Sequence, residues 1–447
     1  MKTAFQSLVT GKKFFAFVCV LVLSLGWCVP SSQAQAPAPT RLIVRDSLGL
    51  PGINLTCLLL RCNVVRGLGD PQGQLFLITF PPILEPVTSL LRINLQLGIV
   101  DVELDQAISS RDSNAGAVPS YLTDQAPTPY YGATVWHGYL VQPGNQLIGT
   151  MRTQNTLGVA GAGAKVAMID TGVDPTHPVL RGVLVNGYDF TRNVSGGSED
   201  SDVNVTPDPD DAQAAVVNQR TVAVLDQRTV AVLDGSNYSA FGHGTMTAGI
   251  VHLVAPQAQI MPLKAFAANG SGYESDILRA IYYGVQNGAN IMSMSFDFTN
   301  SSKELASAVK YAQGKGVVMV ASAGNDGEYE FVYPGALPGV IDVASTSDQD
   351  TQSTFTNYGT PPVFMSAPGE GIMTLYPWGT YAAGWGTSFS TPLVAGTAAL
   401  MLGKNGNCSP AKVSSGLAHA DNIFNPELGW GRLDTYQAVK SCHGGLL

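Results

Sequence analysis

At 447 residues the chain exceeds one average domain, and its 45% apolar and 13% charged residues put it among folded globular proteins rather than disordered ones. A net charge of −9 with no basic stripe argues against nucleic acid as the natural partner. The 49 glycines announce many tight turns.

The chain opens with Lys2, Lys12 and Lys13, an apolar run from Phe14 to Trp27, and the small-residue stretch Ser31-Ser32-Gln33-Ala34-Gln35-Ala36. That order is the grammar of a signal peptide, residues 1–34, with cleavage expected after Ala34. A bilayer-spanning helix needs about 20 apolar residues, so no membrane association is expected once the leader is gone. The product is expected outside the cell, with a periplasmic destination left open. Trp27 is too bulky to precede a lipid-attachment Cys28. Removing the leader removes Cys19 and Cys28 and leaves two sequence-local pairs, Cys57 with Cys62 and Cys408 with Cys442. Export permits both to oxidise; reduced, buried cysteines are the alternative. Sequons at Asn54, Asn193, Asn204, Asn237, Asn300 and Asn407 matter only in a glycosylating host.

After a Pro/Ala linker, Arg41 to Arg45 reads as a strand and Ile53 to Leu60 as a helix. A strand pair, Asn63 to Leu68 and Gln74 to Phe80, turns at Gly69-Asp70-Pro71; Glu85 to Leu97 has helical spacing and Ile99 to Leu104 is a closing strand. The order β-α-β-β-α-β predicts a small ferredoxin-like α+β unit over 41–108. Residues 109–148, rich in Pro, Gly, Ser and Thr, are expected to be an exposed connector.

From 149 to 447, apolar runs at Lys165 to Ile169, Gln259 to Pro262, Ile291 to Ser295, Val317 to Ala321 and Val340 to Ala344 alternate with helical stretches. The helices fall at Gly244 to Val254, Tyr273 to Asn287, Ser302 to Lys315 and Ser388 to Leu402. This is α/β patterning, a largely parallel sheet with helices on both faces, whose sites gather at the carboxyl ends of strands. An octapeptide repeat interrupts it over Ala214 to Asp234, its valine alternation favouring short strands over a helix. The acidic stretch from Glu199 to Asp211 before it reads as a solvated loop, with structural calcium the less favoured alternative.

Four blocks place a polar residue at a strand end or helix start: Val166-Ala-Met-Ile-Asp170-Thr-Gly, Gly242-His243-Gly244-Thr245, Ala321-Ser-Ala-Gly-Asn325, and Gly386-Thr-Ser388-Phe-Ser-Thr-Pro392. Each alone could be a turn or a cap. Together they supply acyl-transfer chemistry. A serine hydroxyl is a weak nucleophile at neutral pH and needs a base, and the base needs a carboxylate to fix its tautomer; Ser388, His243 and Asp170 are the candidates. The Asn325 amide and the Ser388 backbone N–H are candidates to stabilise the oxyanion.

The order Asp, His, Asn, Ser and the words around each residue resemble the subtilisin-like serine peptidases, from about Gly161 to Ala438. The resemblance implies a secreted serine endopeptidase acting through an acyl-enzyme, with no cofactor for the chemistry, polypeptide substrates and a monomeric state. It also implies that residues 41–108 are a prosegment, an intramolecular inhibitor removed by self-cleavage. Gly270-Ser271-Gly272 and Ser295-Phe296-Asp297 are similar to the family's two edges that pair with an extended peptide. Ser322, Ala323 and Gly324 would line the primary pocket. Asp297 and Val332 depart from the family's usual glycines, and a valine there implies a shallow pocket for small or medium apolar side chains. A catalytically silent peptide-binding protein, or an esterase or acyltransferase, would use the same scaffold.

Overall fold

The computed structural model describes residues 38–82, 86–109, 119–203, 222–224 and 238–443. The signal peptide, the sequons at Asn204 and Asn237, the acidic stretch beyond Val203 and most of the octapeptide repeat lie outside them.

The N-terminal unit runs β1 (Thr40–Asp46), α1 (Gly49–Leu60), β2 (Asn63–Gly67), β3 (Leu75–Phe80), α2 (Pro86–Asn94) and β4 (Ile99–Leu104), as the alternation anticipates. Its antiparallel sheet has the order β2-β3-β1-β4. Side chains on a strand alternate between faces, and here both faces are apolar. Leu42, Val44, Phe76 and Ile78 form one core with Ile53 of α1 and Ile93 of α2. Ile43, Leu75 and Leu77 point the other way, into the core of the larger domain. A short strand β5 (Ala107–Ser109) follows.

Residues 119–148 are not an exposed connector. They form a hairpin, β6 (Pro127–Tyr130) with β7 (Ala133–Trp136), then short helices α3 (His137–Val141) and α4 (Pro143–Leu147), before α5 (Thr150–Leu157). Leu122, Val135, Tyr139 and Ile148 are fully buried in the main core. Turn-rich composition suggested exposure, but the aromatic hydroxyls make burial feasible by capping carbonyls: Tyr130 Oη donates to Leu253 O and Tyr139 Oη to Gly249 O, each at 2.6 Å.

The larger domain is built on β8 (Lys165–Asp170), β9 (Gly187–Asp189), β10 (Val194–Gly196), α6 (His243–Val254), β12 (Gln259–Lys264), α7 (Glu274–Gln286), β14 (Ile291–Met294), α8 (Lys303–Gly314), β15 (Val318–Ser322), β16 (Ile341–Thr346) and β17 (Met365–Pro368). Between these elements in chain order lie β11 (Val222–Val224) and β13 (Ser271–Tyr273). The sheet order is β10-β9-β12-β8-β14-β15-β16-β17, parallel throughout except for β10. Along β8, Val166 and Met168 face the core that holds α6, while Ala167 and Ile169 face that of α7 and α8. Helices cover both faces, as a parallel sheet requires.

A hairpin, β18 (Ile372–Tyr376) with β19 (Thr380–Gly384), leads into the buried helix α9 (Thr387–Leu402). The one described piece of the octapeptide repeat, β11, is a strand antiparallel to β19, with Ala223 opposite Ala383. The chain closes through α10 (Pro410–Leu417) and α11 (Thr435–Lys440).

Charged groups fix how the small unit sits on the large one. Glu103 accepts from Ser302 Oγ at 2.7 Å and Lys303 N at 3.2 Å, at the start of α8. Asp105 accepts from Ser275 N and Oγ, each at 2.9 Å, at the start of α7. Carboxylates there meet the unsatisfied N–H groups and positive end of each helix. Arg45 adds an ion pair to Glu304, with Nε and Oε1 2.8 Å apart.

Both cysteine pairs are bonded, Cys57 to Cys62 and Cys408 to Cys442. The second ties α11's end back across a separation of 34 residues. Replacing Cys408 and Cys442 by serine in a Ser388→Ala background should lower unfolding free energy by about 3–4 kcal/mol in urea titrations, the loop-entropy value for such a closure.

Candidate active site

β8 ends at Asp170, whose carboxylate is almost fully buried and held at both oxygens. Oδ1 accepts from Thr171 N at 2.7 Å and lies 2.7 Å from His243 Nδ1, and Oδ2 accepts from Thr247 Oγ1 at 3.0 Å. A carboxylate so fixed sets the imidazole tautomer, Nδ1 carrying the proton and Nε2 kept basic. His243 is the first residue of α6, and the approach to Asp170 depends on its neighbours being small. A Cβ on Gly244 would stand 1.8 Å from Gly172 O, so the helix start and the strand end meet backbone to backbone. Gly244 N donates to Thr171 Oγ1 at 3.0 Å, closing the same contact.

Ser388 lies in the first turn of α9, with Gly386 ahead of it at φ 145°, a conformation open to glycine alone. Pro392, four residues on, has no N–H to give to the Ser388 carbonyl. Ser295 Oγ supplies the missing donor at 3.0 Å, and Ser388 Oγ donates in return to Ser295 O at 3.3 Å. The His243 ring stands over this turn, its centroid 5.8 Å from that of Phe389. Asn325 follows β15; its Oδ1 accepts from Thr387 N at 2.9 Å and Thr387 Oγ1 at 3.0 Å. Its oxygen is thereby anchored at the start of α9, one residue before Ser388. The fold thus gathers four residues from four separate elements, at the carboxyl ends of β8 and β15 and the amino ends of α6 and α9.

A family model described as the subtilase family matches residues 161–431, more than half of the chain. This chain belongs to the subtilase family. Thermitase from Thermoactinomyces vulgaris is 34% identical over 292 residues, 63% of this chain and 90% of thermitase. A thermophilic serine proteinase from Bacillus sp. (strain AK1) is 32% identical over 335 residues, 72% of each chain. Among solved structures, fervidolysin from Fervidobacterium pennivorans superposes with a TM-score of 0.66 at 22% identity, covering 90% of this chain and 61% of fervidolysin, a likeness of fold. The chain is accordingly a subtilase-family serine peptidase.

In this subtilase, parts of both segments expected to pair with a peptide lie beside Asp170 and His243. Gly270, Ser295 and Phe296 line one small cavity with Asp170 and His243. β13, containing Ser271 and Gly272, is paired antiparallel with β5: Ser271 opposite Ser109, Gly272 opposite Ile108, Tyr273 opposite Ala107. Phe296 packs on Phe266, ring centroids 5.0 Å apart, and Ile108 is buried in the same cluster. Ser322 Oγ donates to Phe296 O at 3.3 Å, joining the second edge to the strip Ser322-Ala323-Gly324. Val332 is fully buried.

Two buried acids escaped the sequence reading. Glu199 opens the stretch taken for a solvated loop, yet it is fully buried, accepting from Gly242 N at 2.9 Å, from Thr171 Oγ1 at 3.3 Å and from Thr245 Oγ1. It links the residues flanking both Asp170 and His243. Burial holds its carboxyl well above the usual range. Asp202 of the same stretch is engaged by Arg192, and by the buried Lys264 with Nζ and Oδ2 2.7 Å apart. Glu199 and Asp202 are thus engaged by donors of the protein itself, and among the described residues no group of three or more His, Cys, Asp or Glu is arranged for a metal. The threonines at 171, 245 and 247 were the available signal, since hydroxyls beside a buried carboxylate need an acceptor.

The other acid is Asp342 on β16, fully buried with neither oxygen hydrogen-bonded. Burial pushes it up to about 8, and the charge of Asp297 adds to the shift. An acid raised in the fold and near 4 in the unfolded chain binds more protons when folded across that interval, so its contribution to stability falls as pH rises from about 4 to 8. Asp342→Asn in a Ser388→Ala background should therefore raise Tm relative to the parent at pH 8 and change it little at pH 4, measured by scanning calorimetry.

Proposed function

We propose that this subtilase is a secreted serine endopeptidase, made as a zymogen that cuts itself free. The observation that carries the reading is the Asp170 carboxylate fixed on His243 Nδ1, beside a serine at the mouth of α9. In this reading Ser388 Oγ attacks the scissile carbonyl while His243 Nε2 takes its proton, and Asp170 stabilises the imidazolium that forms. The oxyanion is met by the Asn325 amide and the Ser388 backbone N–H at a helix amino end, each such donor worth about 3 kcal/mol of barrier. His243 then returns the proton to the leaving amine, and water repeats the sequence on the acyl-enzyme.

Residues 41–108 act as the prosegment. Support comes from the Glu103 and Asp105 caps on two helices of the peptidase domain, and from β5 lying on the β13 edge as an added strand. That placement keeps peptides off the cleft until the segment is cut away. Export follows from the leader sequence of residues 1–34, polypeptides are the substrates, and the mature enzyme works as a monomer without a cofactor.

Expression of wild type beside Ser388→Ala, followed by intact-mass measurement, tests the reading. Wild type should lose the prosegment and hydrolyse casein; Ser388→Ala should retain it, with activity lowered about 10⁶-fold when the prosegment is removed in trans. Equal retention or equal loss in both proteins would refute self-processing. Asn325→Ala should lower kcat by about 10²–10³ with a smaller change in KM, by steady-state peptide assay.

A further inference from the structure

The two helices of the N-terminal unit are apolar on the side turned away from their own sheet. α1 buries Ile53 and Cys57 against that sheet, yet Leu55, Leu58 and Leu59 on its other side are between 58% and 77% exposed. α2 repeats the pattern: Ile93 is buried in the same core, while Val87, Leu91 and Leu95, spaced four apart along the helix and its exit, are exposed. Leu48 ahead of α1 and Leu97 beyond α2 extend the face. A surface helix ordinarily presents polar residues to water, and one that is apolar all round needs a cover on both sides.

The layering leaves this face free of the larger domain. The sheet sends Ile43, Leu75 and Leu77 into the peptidase core and Leu42, Val44, Phe76 and Ile78 against the helices, so the helices form the outermost layer. α1 and α2 lie side by side there. Their exposed leucines and valine make one apolar patch, of a kind that folded monomers seldom leave in water.

Charge is sorted across the same unit. In a chain of net charge −9, residues 48–62 and 86–98 carry only two charged side chains, Arg61 and Arg92, both positive and both exposed. Arg41 and Arg45 are engaged by Asp105 and Glu304, whereas no acid among the described residues holds Arg61 or Arg92. The unit's acids are turned elsewhere: Asp46, Asp70 and Asp105 are buried, Glu103 meets the start of α8, and Asp101 lies 3.0 Å from Lys303 Nζ. Glu85, just ahead of α2, lies outside the described residues.

Leucines accompanied by cations and by no acid match an anionic lipid surface. Apolar side chains enter the boundary between headgroups and acyl chains, and guanidiniums on long stems reach phosphate oxygens. A second copy of the chain fits less well. A two-fold contact sets a patch against itself, which here would bring cations together with no carboxylate between them.

We infer that the outer face of α1 and α2 docks the uncut chain on a bilayer containing anionic phospholipid, with the leucines at the headgroup boundary and Arg61 and Arg92 on phosphates. This departs from the expectation of no membrane association once the leader is gone, which weighed only spanning. Among the described residues no helix is long and apolar enough to cross a membrane, and a helix lying in the interface does not cross it. The inference stands apart from the peptidase reading; under that reading, cutting away residues 41–108 also releases the enzyme from the lipid.

The test uses the Ser388→Ala chain recovered after export, with intact mass confirming that the leader is gone and residues 41–108 are present. It is floated with vesicles of phosphatidylglycerol and phosphatidylcholine, or of phosphatidylcholine alone. The protein should float with the anionic vesicles at low salt, much less with the neutral ones, and less as salt is raised. Leu58→Ser with Leu91→Ser, and separately Arg61→Gln with Arg92→Gln, should each weaken partition onto anionic vesicles about tenfold without lowering Tm, since all four side chains are exposed. Phe424→Ser, at a 90% exposed side chain of the larger domain, should change nothing. Light scattering without vesicles should report a monomer. No flotation with anionic vesicles, an equal loss in Phe424→Ser, or a dimer that the leucine substitutions dissociate overturns the inference. Should the leader be retained, the double variants measured against their parent decide the matter, and unchanged flotation in both overturns it.

Discussion

Everything the site can do rests on one close approach, the start of α6 against the end of β8. The bond between Asp170 and His243 is 2.7 Å long because two glycine backbones touch where side chains would have held them apart. Thr171, Thr247 and Glu199 then fix that contact from three directions, Thr247 through a hydrogen bond to Asp170 itself and the other two through bonds to the glycines flanking His243. For the proposed reaction such an arrangement needs little reorganisation, because the groups around the pair are already fixed by folding. The sheet provides the scale. Parallel strands end together on one edge, so residues far apart in sequence, from Asp170 to Ser388, arrive within one cleft.

The N-terminal unit is integrated with this plan more closely than a tethered cap would be. Its sheet buries one face on its own helices and the other on the peptidase domain, so neither face is complete without its cover. Its acids sit at the helix starts of the larger domain, where they satisfy backbone donors that would otherwise need water. The unit thereby meets α7 and α8 at their amino ends. β5, which follows directly, is held in register against β13.

Much of this was legible in the sequence because the relevant rules are local. Alternation along Lys165 to Ile169 and periodicity in Lys303 to Gly314 follow from which face is buried, and the four blocks announce themselves by small residues around a polar one. The octapeptide's valines likewise read as strand, and Val222–Val224 is one. What escaped detection depends on distance. Residues 119–148 look like an exposed connector until Tyr130 and Tyr139 find carbonyl partners over 100 residues away. Glu199 looks solvated among its acidic neighbours, and only the fold surrounds it with hydroxyls and amides. Asp342 sits in an ordinary apolar strand pattern, with nothing nearby to show that it would come to rest near Asp297.

The proline inside α9 has a consequence for how this enzyme can change. By withholding one helical N–H it makes the Ser388 carbonyl depend on a hydroxyl from the opposite cleft wall, and that wall's own carbonyl receives the Ser388 hydroxyl in return. Under the proposed function, attacking group and substrate-binding edge are thereby yoked. Under that function, alterations at residue 295 also displace Ser388, so turnover and substrate choice do not drift independently there.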